Sequence, residues 1–487
     1  MNTKIYSIFF LLFFSFVFSQ NVVFNDPNFK QLFLNPYNDL NSDGEISYSE
    51  ALTITTIWKS ANSNISDLTG IEKMTNLTTL LIKNNPLSQP IDLSFNINLK
   101  TLNLQASTNV LNVTGTNSLE QVILQGPFSV LDFSNKPALT NLSIQGIAPQ
   151  TLQSLNVTGS PALLKLWCTF CGLSSIDVTQ NPVLEELVLG VNNSFTTLNV
   201  TQNPLLKMLS VGETPLGTID VTQNPILESL MVEETGLTSI NLQNNPLLKL
   251  LAVGKNDLSN GISLSNLTVL ESLYADMSQL TSLDLSNNVL LQYLSIGNNF
   301  LTHIDVTQLS QLKRFTAHNN LFTSVDLSQN SNLTNVSFTS NSILKYINVK
   351  NGNNVNMNHH NIEYAFLPQL LGVCVDDPMS IYGLKVKGSL PSSVLVTSNC
   401  SLLNTQESLI DSARLSFYPN PVGDWLNIDS KENLLRYEIF ENSGRLIKNG
   451  KFAKGEKKIF VGNLSVGNYI VTVSTSKSLL KGKVIKK

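Results

Sequence analysis

Leu291-Gln-Tyr-Leu294-Ser-Ile296-Gly-Asn-Asn299-Phe-Leu301 is followed one period later by Leu312-Lys-Arg-Phe315-Thr-Ala317-His-Asn-Asn320. Then comes Leu333-Thr-Asn-Val336-Ser-Phe338-Thr-Ser-Asn341. Each stretch is LxxLxLxxN. The leading leucine recurs at Leu77, Leu99, Leu119, Leu139, Leu163, Leu184, Leu206, Leu227, Leu248, Leu270, Leu291, Leu312 and Leu333, in steps of 20 to 24 residues. A repeat of that length is one supersecondary unit that cannot bury its apolar face alone. Stacked copies bury it, so the chain is expected to form an elongated solenoid with a broad exposed face.

About ten residues after each LxxLxL lies a second alternating segment, such as Ile176-Asp-Val178, Ile219-Asp-Val221, Ile304-Asp-Val306 and Val325-Asp-Leu327. Alternation predicts extended chain. Asn-Pro pairs at Asn181, Asn203, Asn224 and Asn245 mark the turns. Short parallel strands are therefore expected on both sides of each coil, with little helix. The last Asn of the motif (Asn85, Asn192, Asn256, Asn299, Asn320, Asn341) is placed to satisfy backbone groups that would otherwise be buried unpaired. Cys171, Thr214 and Ser278 replace it in other coils. From roughly Ile65 to Val349 the pattern resembles the leucine-rich repeat family, which places the solenoid at 65–350. The convex row Asp177, Asp220, Asp284, Asp305 and Asp326 reads as turn-capping side chains bonded to neighbouring Ser, Thr and amide groups, not as cation ligands.

The two ends differ from the middle. Residues 1–19 carry Lys4, a short apolar run from Ile8 and small residues before Gln20, which reads as a secretory signal peptide. No later stretch is apolar enough for a membrane span. Residues 404–414 read as a polar linker. From Leu415 to Lys487 there are 13 Lys+Arg against 6 Asp+Glu, whereas Gln20 to Arg414 has 17 against 29. Strand-like runs separated by Gly turns predict a small β-sandwich over 415–487. Phe417-Tyr-Pro-Asn-Pro-Val-Gly-Asp-Trp-Leu, Tyr437-Glu-Ile-Phe with Gly444-Arg-Leu-Ile-Lys, Gly467-Asn-Tyr-Ile-Val-Thr-Val and the terminal Lys483-Val-Ile-Lys-Lys487 resemble the type A C-terminal sorting domain of the type IX secretion system. The resemblance implies recognition by that machinery and export across a Gram-negative outer membrane, with the mature protein released or anchored on the outer surface.

Cys374 and Cys400 follow the last repeat. An exported chain holds disulfides, and the spacing resembles the C-terminal cap of bacterial surface leucine-rich repeat proteins. That resemblance implies a bridge within a cap at 351–403. Cys168 and Cys171 form a CxxC. Aligning the repeats places Cys168 at an inward aliphatic position and Cys171 at the turn position of Asn192, so both read as small buried residues.

The N-terminal region, 20–64, reads as a cap. Its Asp39-Leu-Asn41-Ser-Asp43-Gly44-Glu45-Ile46-Ser47-Tyr-Ser-Glu50 fits DxNxDGxIxxxE and is similar to the loop of EF-hand proteins and dockerins. Asp39, Asn41 and Asp43 offer side-chain oxygens, Glu45 its carbonyl, Ser47 a water-mediated contact and Glu50 two oxygens, a set suited to structural Ca2+. Asp26-Pro27 opens a short helix with Phe29, Leu32 and Phe33 on one face. The β-branched Leu52-Thr-Ile-Thr-Thr-Ile that follows is a poor helix former, so a single loop in a cap is expected.

Side chains between the motif leucines point outward. Along the stack they include Trp167, Val188, Met208, Met231, Leu250, Tyr274 and Tyr293, an apolar and aromatic patch on an otherwise polar face. Lys165, Glu186, Glu233, Asp276, Arg314 and His318 are expected to rim it. The chain carries no HExxH, GxSxG or glycine-rich phosphate loop. The acidic balance of the exported part disfavours nucleic acid. His359-His360 reads as surface coil. The expected function is non-enzymatic recognition or adhesion toward an extracellular protein or glycan. The rival readings are a surface-layer spacer and a hydrolase using Glu185/Glu186 or Glu233/Glu234.

Overall fold

The computed structural model describes residues 20–147, 150–357, 366–401, 403, 416–429, 433–441, 445–475 and 479–487. The signal peptide, the linker and the His359-His360 pair lie outside the described residues. The chain divides into two compact units. One holds the repeats and takes in Val375–Val394; the other holds Leu371–Cys374 and Leu395–Lys487.

In the first unit, each LxxLxL segment forms a strand that pairs in parallel with the next coil's. One continuous 14-stranded sheet runs in chain order from Thr56–Lys59 to Asn335–Ser337. Its register superposes equivalent repeat positions: Lys165, Leu166 and Trp167 pair with Glu186, Leu187 and Val188, and those with Met208, Leu209 and Ser210. All thirteen leading leucines are fully buried. The sheet begins one strand before the first motif leucine, because Thr56–Lys59, inside the expected cap, pairs with Thr79–Ile82.

The opposite side of the coil departs from expectation. Among the described residues of the repeats, strands form there only at Ile91–Asp92 with Leu111–Asn112, Val130–Asp132 with Ser154–Asn156, and Ser324–Asp326 with Tyr346–Asn348. In the coils between, the inward aliphatics Val178, Val200 and Val221 are buried as the alternation requires, yet no strand is assigned there, and their carbonyls accept turn N–H groups from Asn181, Asn203 and Asn224. Alternation reports which side chains point inward, not how backbone groups are satisfied. Here turn N–H groups and side chains share the task. Asn203 Nδ2 donates to Val178 O at 3.0 Å and Asn181 O at 2.9 Å; Asn224 and Asn245 repeat this one and two coils on. The Asn of each Asn-Pro turn is thus a rung of a second, convex ladder. At Lys136 a buried ammonium takes the rung, donating to Val113 O at 2.7 Å and Thr114 O at 3.1 Å.

The first Asn ladder stands as expected. Asn192 Oδ1 accepts from Cys171, Gly172 and Leu173 N–H, and its Nδ2 donates to Cys168 O and Leu189 O. Cys168 and Cys171 are buried free thiols in the positions the repeat alignment assigns. The convex aspartates also behave as read: Thr179 and Thr222 donate both N–H and Oγ1 to Asp177 and Asp220.

The N-terminal cap packs Phe24, Phe29 and Phe33 as an aromatic trio with centroids 5.2–5.8 Å apart. Asp26 caps the helix Pro27–Lys30 by accepting from Asn28 and Phe29 N–H. At the other end of this unit, Asp376 and Asn354 exchange backbone-to-side-chain bonds. In the second unit, Gly372–Cys374 pairs in parallel with Leu395–Thr397, and Cys374 is bridged to Cys400. Among the described residues of 416–487, strands form two antiparallel sheets, of three and four strands. Their core is Val422, Leu426, Ile428, Ile439, Val471 and Val473.

Candidate functional site

The LxxLxL strands carry three outward columns, two of them read from the sequence. The central one runs Trp58, Leu81, Asn103, Ile123, Ser143, Trp167, Val188, Ser210, Met231, Ala252, Tyr274, Ser295, Thr316, Ser337 in continuous register. The column before it places Lys165, Glu186, Met208, Ser229, Leu250, Ser272 and Tyr293 side by side. All seven patch residues therefore share one face. Trp167, Tyr274 and Tyr293 remain 44, 39 and 38 % exposed, despite neighbours on both sides. At about 4.8 Å per strand, Trp167 and Tyr274 lie roughly 24 Å apart.

Trp167 is held in place. Its Nε1 donates to Glu186 Oε2 at 3.2 Å, while Lys165 Nζ bonds the other oxygen at 2.7 Å. Between Trp167 and Ile123, the small Ser143 leaves a slot of about 310 Å³ edged by Gln121, Asn141 and Lys165. Trp58, 73 % exposed, extends the same column toward the N-terminus. Sequence reading missed it because its strand precedes the first motif leucine.

The third column enters the sequence reading only through Glu233 and Asp276, expected at the rim. Beyond each strand it carries Gly190, Gly212, Glu233, Gly254, Asp276 and Gly297. Where the residue is glycine, the backbone is left bare, and a depression of about 520 Å³ opens. Val188, Met231 and Tyr274 wall one side; Val191, Glu213, Glu234, Lys255 and Met277 wall the other. The second wall consists of the residues just before the ladder position, all left-handed, with φ between 54° and 59°. That conformation is unfavourable for a β-branched side chain such as Val191. The signal was in the sequence: glycine recurs two positions after the central outward residue in four coils.

Charges in this trough are unevenly compensated. Lys255 bonds Glu234. Asp276 Oδ1 accepts from Gly297 N–H at 2.8 Å. Burial pushes the Glu233 carboxyl above its ordinary value; a bond from its own N–H and the charge of Lys255 oppose this, and the charge of Glu213 adds to it. His318, expected at the rim, hydrogen-bonds Asn298 at 2.8 Å, with its ring against Gly297. Arg314 shares a strand position with Tyr293. Of the carboxylates a hydrolase would need, Glu185 pairs with Lys207, Glu186 with Lys165 and Glu234 with Lys255.

In the cap loop, Asp43 and Gly44 N–H donate to Asp39, Asp43 N–H also to Asn41, and Glu45 N–H to Asp43. Gly44 adopts φ 78° with open space around its Cα. Ile46 is fully buried. Ser47 and Glu50 form a reciprocal capping box, and Glu50 also accepts from Leu40 and Asn41 N–H. The Glu45 carboxylate pairs with Lys30 at 2.7 Å. Among the described residues, no three His, Cys, Asp or Glu side chains converge as a preformed metal cluster; the loop's donor set relies on an amide, a carbonyl and a hydroxyl as well.

Residues 416–487 match the secretion system C-terminal sorting domain. No curated protein matches the chain. Among solved structures, the functional domain of InlJ from Listeria monocytogenes, which includes a cysteine ladder, is similar at 19 % identity. It covers 95 % of this chain and 97 % of its own, with a TM-score of 0.51. Internalin InlF from Listeria monocytogenes matches at 18 % identity over 77 % of this chain and 95 % of its own, TM-score 0.44. YopM from Yersinia enterocolitica matches at 16 % over 71 % and 69 %, TM-score 0.46. The first of these establishes the fold as a leucine-rich-repeat-type solenoid. The tail marks the protein as secreted or attached to the cell surface. Among the described residues, no helix is long and apolar enough to cross a membrane.

Proposed function

We propose that this protein is a non-enzymatic recognition or adhesion factor, exported by type IX machinery to the outer surface of a Gram-negative bacterium. It binds an extracellular protein or glycan on the sheet face between Trp167 and Tyr293. One observation carries the reading. An outward stripe with one apolar or aromatic residue on every strand leaves Trp167, Tyr274 and Tyr293 open to solvent and Val188, Met208, Met231 and Leu250 half-buried between them, beside glycines that deepen it into a trough. Exposed aromatics held by a scaffold are the groups that dominate binding energy in interfaces. Their ordering cost is already met by packing.

The test is a binding screen of the full chain, with calcium, against arrays of surface polysaccharides and extracellular proteins. A saturable hit is expected. The absence of any hit would favour a spacer role and reduce the aromatics to strand formers. Turnover of a captured ligand that is lost in Glu186→Gln/Glu233→Gln with binding intact would instead support the hydrolase reading.

The cap loop supports a structural Ca2+ role. Asp39, Asn41, Asp43, the Glu45 carbonyl, Ser47 and Glu50 would hold the ion, which supplies charge compensation for carboxylates gathered in one tight loop. The chain's own bonds already shape the loop, so the ion would stabilise it rather than create it. Unchanged thermal stability on chelation would contradict this.

A further inference from the structure

We propose that the trough between Gly190 and Asp276 seats an arginine or lysine side chain of an extended polypeptide partner. This rests on the recognition reading above and names the partner's chemistry. The floor is backbone. At Gly190 and Gly254 an added Cβ would stand 3.2 Å and 3.0 Å from the carbonyl oxygens of Gly212 and Asp276, so the column is open and tight. Val188, Met231 and Tyr274 offer an apolar wall suited to the aliphatic stem of a long cationic side chain.

The charge at the end of that stem is settled by what surrounds it. Four carboxylates, Glu213, Glu233, Glu234 and Asp276, face a single ammonium, Lys255, whose bond goes to Glu234. Any occupant that covers the trough strips water from Glu213 and Glu233. A neutral or anionic occupant leaves that desolvation uncompensated, whereas a guanidinium or ammonium offsets it. A bare divalent cation is a poorer match, since no three of these carboxylates converge as ligands among the described residues. Apolar residues flanking the basic one would lie along the stripe, against Trp167 on one side and Tyr293 on the other.

The full chain is titrated, by fluorescence anisotropy, with short labelled peptides of Tyr and Leu carrying a central Arg, Lys, citrulline or Glu. The Arg and Lys peptides are expected to bind about tenfold or more tighter than the citrulline peptide, which keeps the shape and loses the charge. Glu213→Gln/Glu233→Gln should erase that difference without lowering the melting temperature. Equal binding of the Arg and citrulline peptides overturns the proposal, as does failure of every peptide to saturate by about 1 mM. A neutral polysaccharide whose binding is lost in Trp167→Ala/Tyr274→Ala but untouched by the double glutamine variant would also overturn it, and would leave the recognition reading intact.

Discussion

The convex turns and the outward sheet face of the same coils treat polar groups in opposite ways. On the convex side, Asn181, Asn203, Asn224 and Asn245 are completely buried and tie each coil to the one before. Asp177, Asp220 and Asp305 are exposed but bonded within their own turns. On the sheet face, Trp167, Tyr274 and Tyr293 are left open, and Glu213 and Glu233 lie in a trough with one lysine among four carboxylates. The polar groups of the first region hold the solenoid together. The second region contributes little that the solenoid needs, and that freedom is what recognition requires.

The contrast is broken if a convex rung proves dispensable. Asn203→Leu removes the donor to two buried carbonyls, Val178 O and Asn181 O. Each carbonyl keeps one backbone donor, Asn181 N–H on Val178 O and Leu184 N–H on Asn181 O, so two hydrogen bonds are lost. At about 0.5–1.5 kcal/mol each, denaturant unfolding should show a loss of about 1–3 kcal/mol. Ligand affinity of the folded fraction should not change. Replacing the sheet-face aromatics should do the reverse. Trp167→Ala, Tyr274→Ala and Tyr293→Ala are each expected to weaken binding by about 2 kcal/mol. Unfolding midpoints should shift little, because these side chains are already substantially exposed.

Acid titration sharpens the same contrast through the sign of the linkage. Bonds from Thr222 hold the Asp220 carboxyl below its ordinary value of 3.8, and Thr179 does the same for Asp177. A lowered folded value means stability present above 3.8 and lost as pH falls through the folded value. Glu233 is raised above 4.5, chiefly by burial, so its contribution is present below 4.5 and lost as pH rises through the raised value. Thermal melts across the acid range should therefore show Asp220→Asn flattening the lower limb and Glu233→Gln flattening the upper one.

The smallest effect concerns Val191, left-handed at φ 59°. Val191→Asn relieves an unfavourable conformation and should stabilise by about 0.5–1 kcal/mol. If the valine serves the trough wall, the same change should weaken peptide binding. A stabilised protein with unaltered affinity would remove Val191 from the site.

Much of this was legible in the sequence, for physical reasons. The leucine period sets the coil, and register follows because superposed inward columns are the only way to bury Leu166, Leu187 and Leu209 together. The two outward columns came from the same alternation, and the Cys168 and Cys171 assignments from aligning one repeat with another. The convex strands were over-read, since alternation at Ile176-Asp-Val178 does not reveal that Asn203 supplies the bonds a neighbouring strand would have made. Trp58 was hidden by a strand lacking a motif leucine. The glycine column was visible but silent, because an absent side chain matters only once its neighbours are known. Lys136 precedes Pro137 at the position that Asn181 holds before Pro182, but a lysine in a turn ordinarily reads as solvated, so its role as a rung was not legible.

The central claim is that the face from Trp167 to Tyr293 carries recognition. It is tested most directly by comparing the full chain with Trp167→Ala/Tyr274→Ala for binding to whichever polysaccharide or protein the screen captures, with both melting curves recorded. The account predicts saturable binding by the unaltered protein and its loss in the double variant at an unchanged melting temperature. Binding retained at full affinity by the double variant would place the site on the caps or the convex side and contradict the account.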